Sequence, residues 1–136
     1  MKKRTGILTK IAAPVMGLVV AGATMLTPMS AMAASSNVSG KLNGYACSGY
    51  VTIDTRDAYA VTSFSRGGSV IKAKVVLYTK LNGKWKKHSN SNSSTAGGTS
   101  AKASVDSGAE LTQYAEGTHY VSYDTYSWSD NTYVHY

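Results

Sequence analysis

The sequence predicts an all-β protein: a single antiparallel β-sandwich of about seven or eight strands, preceded by a signal peptide. Three observations carry that prediction. Beyond residue 33, apolar side chains nowhere keep a helical spacing for more than a turn, while Val, Ile, Thr and Tyr gather in short runs bounded by Gly, Asn, Asp and Ser. Roughly a hundred residues follow the leader, enough for one small core and too few for two. The single cysteine, Cys47, excludes an internal disulfide, so the domain has to stand on its packed core.

At the start of the chain, Lys2, Lys3, Arg4 and Lys10 precede or open an apolar run from Ile11 to Leu26, and Ala31-Met32-Ala33 supplies the small residues a signal peptidase accepts. The run contains Pro14 and is shorter than the roughly 20 residues that span a bilayer, which argues against a retained anchor. Cleavage is expected between Ala33 and Ala34, giving a secreted, extracellular protein, and the Met-Lys-Lys start has a bacterial character. Residues 34–44 are expected as an N-terminal extension and 45–136 as the sandwich. Four of the 14 Lys and Arg lie in the leader, so the formal charge of +7 falls to +3 in the mature chain. That surplus is too small and too dispersed for a nucleic-acid partner.

Strands are expected over 45–54, 58–65, 70–80, 84–89, 100–105, 110–114, 119–127 and 132–136. In the first, alternation puts Tyr45, Cys47, Gly49, Val51 and Ile53 on one face, so Cys47 is expected as a buried, unreactive thiol. Turns are expected at Arg66-Gly67-Gly68, Asp106-Ser107-Gly108, Glu116-Gly117 and Ser129-Asp130-Asn131. The polar stretch HSNSNSSTAGGTS, residues 88–100, reads as a long flexible loop.

Asn82-Gly83 is the strongest local signal, because these residues supply the two positive φ angles of a type I′ turn. A two-residue loop faces Leu81 with Lys84, Lys80 with Trp85 and Tyr78 with Lys87. Ile71, Ala73, Val75 and Leu77 then point to the core. Lys72, Lys74, Tyr78, Lys80, Trp85 and Lys87 form a basic and aromatic outer strip. Such a strip suits an anionic cell-wall polymer, a glycan stacked on Trp85, or a membrane headgroup surface. The plain alternatives are a solvated face guarded by lysines, or a one-residue slip that buries Trp85 beside Leu77. In the last stretch, THYVSYDTYSWSDNTYVHY, tyrosine rings fill a thin core and their hydroxyls reach its rim. Tyr126 and Trp128, beside the expected Ser129-Asp130-Asn131 turn, are left as a small exposed platform.

A strand running into Leu81-Asn82-Gly83-Lys84-Trp85, then a Ser-rich loop, then Gly117-Thr118-His119-Tyr120-Val121, resembles the small secreted immunoglobulin-like sandwich domains of Gram-positive bacteria. The resemblance covers roughly residues 50–128 and is one of strands and turns. It implies an immunoglobulin-like fold and an extracellular setting, and it carries over no site residue. The paired cysteines of immunoglobulin domains proper are missing.

Enzyme chemistry has little to rest on. Cys47, His88 and His119 fall in separate segments with no nucleophile elbow or zinc spacing around them. Glu110 and Glu116 read as solvated charges flanking a turn rather than a glycosidase pair. His119, Asp124 and His135 have no spacing that argues for a metal, and no cofactor is expected. The sequence thus points to a non-enzymatic binding domain at the bacterial envelope. The rival class is a small secreted antimicrobial protein or toxin, which would inhibit neighbouring strains instead of sedimenting with the producer's own wall.

Overall fold

A computed structural model describes residues 33–67, 69–94 and 97–136. Apart from Ala33, the expected signal peptide lies outside these residues, as does Gly68 of the expected Arg66-Gly67-Gly68 turn. The chain forms eight strands: β1 (Ala34–Leu42), β2 (Tyr45–Ile53), β3 (Asp57–Phe64), β4 (Val70–Leu81), β5 (Lys84–Ser93), β6 (Ser100–Asp106), β7 (Leu111–Tyr123) and β8 (Tyr126–His135). They make two antiparallel four-stranded sheets, ordered β1-β2-β3-β6 and β5-β4-β7-β8. The β1–β2 and β4–β5 hairpins turn on Asn43-Gly44 and Asn82-Gly83. Their φ values of 48° and 83°, and of 51° and 77°, are the positive pairs that a type I′ turn requires.

Four expectations are corrected, each because a strand's partner decides more than its own polarity. Residues 34–42 are not an extension: β1 pairs along its whole length with β2, from Ala34↔Ile53 to Leu42↔Tyr45. Its sequence, ASSNVSGKL, hides this because it is an edge strand with only one face part-covered. The expected loop at 88–100 begins only after Ser93, because β5 runs to that residue. Glu116-Gly117 is no turn but the middle of β7. Gly117 stands there because a Cβ would collide with Thr132 Oγ1. Ser129-Asp130-Asn131 lies inside β8, and the reversal occurs at Asp124-Thr125, where Asp124 takes φ 55°.

The core lies between the sheets. Cys47, Val51, Ile53, Ala58, Ala60, Phe64, Ala101 and Ala103 of one sheet face Ile71, Ala73, Val75, Leu77, Ala115 and Val121 of the other. Small alanines keep the layers close, and one buried polar side chain fills the space they leave. His119 is fully buried, and a Cβ on Gly49 would collide with its ring. Its Nδ1 lies 2.9 Å from Thr62 Oγ1 and its Nε2 2.8 Å from Thr132 Oγ1. Thr62 Oγ1 donates its only proton to the Lys72 carbonyl at 2.9 Å. Nδ1 must therefore carry the imidazole proton and donate to Thr62, while Nε2 accepts from Thr132. A neutral ring satisfies every group, and burial holds the His119 pKa down at about 4.

Side chains also close the two open flanks of the sandwich. Asn90 and Asn92 of β5 point inward and donate from Nδ2 to the Ser104 and Lys102 carbonyls of β6, at 2.8 and 2.9 Å. The repeat Ser-Asn-Ser-Asn-Ser is thus a ladder that occupies the free carbonyls of an edge strand, with the serines turned outward. On the opposite flank Trp128 of β8 packs against the core, over Gly40 of β1, where any Cβ would strike the indole.

Candidate functional site

The outer face of the β5-β4-β7-β8 sheet carries the densest aromatic and basic grouping among the described residues. Strand register explains how it assembles. Lys87, Tyr78, Tyr114 and His135 stand side by side, one from each strand, because Tyr78 pairs with Lys87 and Tyr114, and Tyr114 with His135. The row crosses three interstrand gaps, about 14 Å at the backbone. Trp85, Lys80 and Leu111 flank it on one side; Val76, Glu116 and Tyr133 flank it on the other. A register shift after Tyr78 leaves Gln113 as an extra residue in β7, so that Tyr114 faces outward while Thr112 is buried.

The rings form a ladder across the sheet. Tyr78 and Tyr114 stack at 4.2 Å between centroids with planes 21° apart. Tyr114 in turn meets Trp85 at 5.9 Å, Tyr133 at 5.3 Å and His135 at 5.7 Å. Lys87 Nζ lies 5.7 Å from the Tyr78 ring and Lys80 Nζ 5.2 Å from that of Trp85. Strand order puts Lys87 and Tyr114 on opposite sides of Tyr78, so both faces of that ring are taken. What it presents outward is its edge and a hydroxyl that donates to Glu116 Oε2 at 3.4 Å. Trp85 and Tyr133, at the two ends, are 55% and 48% exposed and keep ring surface for a ligand.

Electrostatics give the face a sign. Lys72, Lys74, Lys80 and Lys87 stand on it against one carboxylate, Glu116. Burial in the stack, with Glu116 beside it, raises the Tyr78 pKa; burial and then the neighbouring Tyr78 and Tyr133 raise that of Tyr114. Both phenols stay protonated at neutral pH; Tyr78 gives its proton to Glu116, and the Tyr114 hydroxyl is the donor the stack offers a ligand.

All six residues of the expected outer strip, Lys72, Lys74, Tyr78, Lys80, Trp85 and Lys87, lie on this face, and the β4–β5 register is the one a two-residue turn dictates. Tyr126 and Trp128 do not join them. The two-residue turn at Asp124-Thr125 pairs Trp128 with Val121 on the inner face, so its indole is half-buried against the core instead of forming an exposed platform. Tyr126 is exposed, but it lies at the rim beside that turn. The expected strip does not include Tyr114, Tyr133 or His135. An unbroken β7 followed by a two-residue turn would have revealed them, since that parity sends all three outward.

One other cluster has the look of chemistry. Thr79, His88 and Glu110 bring a hydroxyl, an imidazole and a carboxylate together, with Lys86 also on Glu110. The same nitrogen, His88 Nε2, meets both Thr79 Oγ1 at 3.3 Å and Glu110 Oε2 at 3.1 Å, whereas a proton relay uses both ring nitrogens. Thr79 is fully buried, and hydrogen bonds from Lys86, Thr79 and His88 draw the Glu110 pKa down to about 2. This is a clamp that fastens the β6–β7 loop onto β5. Glu116 lies on the outer face of β7, so the two glutamates do not share a site. Nor do the histidines converge, for His119 points inward and His135 stands in the outer row. No family model, curated protein sequence or solved structure matches the chain.

Proposed function

We propose that the chain is a secreted, non-enzymatic binding domain of the bacterial envelope that holds an anionic wall polymer or glycan across the outer face of the β5-β4-β7-β8 sheet. The observation that carries this reading is the row Lys87, Tyr78, Tyr114 and His135, flanked by exposed Trp85 and Tyr133. It offers ring surface at both ends, the Tyr114 phenol as a donor between them and lysines along one side. A saccharide needs apolar ring faces together with hydrogen-bond donors, and an anionic chain needs the lysines. The basic leader ending in Ala31-Met32-Ala33 supports export. An immunoglobulin-like assignment is supported by the pairing of β3 with β6 and of β4 with β7 in opposite sheets. These match the B–E and C–F pairs of that fold, with β5 and β8 beside them as C′ and G. The β1–β2 hairpin at one edge is a departure from it.

The test is co-sedimentation of the mature protein with purified wall polymers, comparing wild type with Trp85→Ala and Tyr133→Ala. Each removes an exposed ring, so the melting midpoint should hardly move while binding weakens on the order of tenfold. Replacing Lys72 and Lys74 together should flatten the salt dependence of whatever binding remains. Equal polymer binding by wild type and both ring variants would remove this face from consideration.

A further inference from the structure

The end of the sandwich at the β4–β5 hairpin exposes aliphatic side chains that polymer binding does not use. Leu81, next to the Asn82-Gly83 turn, is 44% exposed; Leu111, paired with Lys80 across β4 and β7, is 61% exposed. Trp85 pairs with Lys80 from the other side. Leu111, Lys80 and Trp85 therefore form one row on the outer face, while Leu81, paired with Lys84 one residue beyond it, stands at the hairpin tip on the opposite face. Around this apolar group stand Lys80, Lys84 and Lys87, all exposed, while Lys86 is occupied by Glu110.

We propose that this hairpin end is a second interaction surface, one that seats on an anionic lipid bilayer. Leu81, Leu111 and Trp85 enter the headgroup region, and Lys80, Lys84 and Lys87 meet the lipid phosphates. Three features favour a bilayer over other occupants. Indole beside aliphatic side chains is the composition that lodges at a membrane interface, where the ring sits among the headgroups. Lysine suits the rim of such a patch because its stem lies along apolar surface while its ammonium reaches outward to the phosphates. A second copy of the chain is a poor occupant, since face-to-face packing would oppose each lysine with its own kind. Apart from Glu110, which Lys86 holds, the carboxylates at this end are Asp54, Asp57 and Asp106; they belong to the other sheet or its β2–β3 turn, where Asp57 pairs with Asp106 and the Asp54 carbonyl accepts from Thr112 Oγ1 at 2.7 Å. The contact is accordingly oblique, with the hairpin and the lysine face towards the lipid and the acidic edge away from it.

This surface shares Trp85, Lys80 and Lys87 with the polymer face but uses neither Tyr114, Tyr133 nor His135, and the polymer face does not use Leu81 or Lys84, so the two are separable by substitution. The experiment is co-sedimentation of the mature protein with phosphatidylglycerol–phosphatidylcholine vesicles and with phosphatidylcholine vesicles alone, at low and at physiological salt. Wild type should bind the anionic vesicles, more weakly as salt rises, and should bind the neutral ones far less. The double variant Leu81→Ser, Leu111→Ser should lose on the order of tenfold in vesicle binding with its melting curve unchanged, and Leu81→Ser alone should weaken vesicle binding while leaving polymer binding as it was. Lys84→Glu should lower both the binding and its salt dependence. Absence of wild-type binding to anionic vesicles at low salt would overturn the proposal, as would a leucine double variant that binds as well as wild type. Failure of the polymer experiment would leave these vesicle results standing.

Discussion

Acidification should destabilise this protein through one buried side chain. His119 is neutral in the folded state, with both ring nitrogens bonded to threonine hydroxyls and no exposed surface. Burial lowers its pKa from 6.5 to about 4, against a smaller opposing pull from the Asp130 carboxylate. A histidine in the unfolded chain takes up its proton near the ordinary value. Below about pH 6.5 the unfolded state therefore binds a proton that the folded state refuses, and stability falls until the folded ring also protonates near pH 4. At about 1.4 kcal/mol per pKa unit, the full loss is roughly 3 kcal/mol, a large share of what a domain of this size has. Urea unfolding of wild type and His119→Gln, followed from about pH 7.5 to 4.5, isolates the effect. The glutamine variant loses the titration and retains one donor and one acceptor for Thr62 and Thr132. Its stability at neutral pH should be lower than wild type, and the gap should close by two to three kcal/mol on acidification. Parallel stability curves for the two proteins would refute the reasoning.

Two further outcomes follow from the flanks and the core. Asn90→Ala and Asn92→Ala should each cost about 1 kcal/mol by removing the donor to a β6 carbonyl, and the double variant should aggregate faster on heating as that edge becomes free; midpoints and light scattering read both. Cys47 is buried and its thiol pKa is raised by burial. It should react with a thiol reagent only as fast as the domain opens, so labelling should accelerate in urea in step with loss of structure.

The contrast between β4 and β5 shows how far the residues could be read. Ile71, Ala73, Val75 and Leu77 alternate with lysines, and their inward direction follows from the period of a strand alone. The facing of Lys80 with Trp85 follows from Asn82-Gly83, because a turn of two residues leaves only one register. Both rules act over a few residues. Asn90 and Asn92 defeat the same reasoning: a polar side chain turns inward here only because the Ser104 and Lys102 carbonyls of β6 wait there. Trp128 fails in the opposite sense. It reads as an exposed ring beside a Ser-Asp-Asn turn, and it is drawn inward because β1 passes with a glycine, Gly40, beneath it.

What the sequence by itself determined is the all-β class, the inward faces of β2 and β4, and the β4–β5 register that sets Trp85 outside among lysines. These depend on side-chain alternation and turn stereochemistry, which neighbouring residues dictate without help from the rest of the chain. Only the tertiary structure decided that Tyr114, Tyr133 and His135 complete the ring ladder, that His119 belongs in the core, and that β1 and the serine-asparagine run are strands. Each of those depends on hydrogen bonds or ring contacts supplied by a strand distant in sequence. A polar or aromatic side chain of this kind has no fixed preference for inside or outside until that partner is in place.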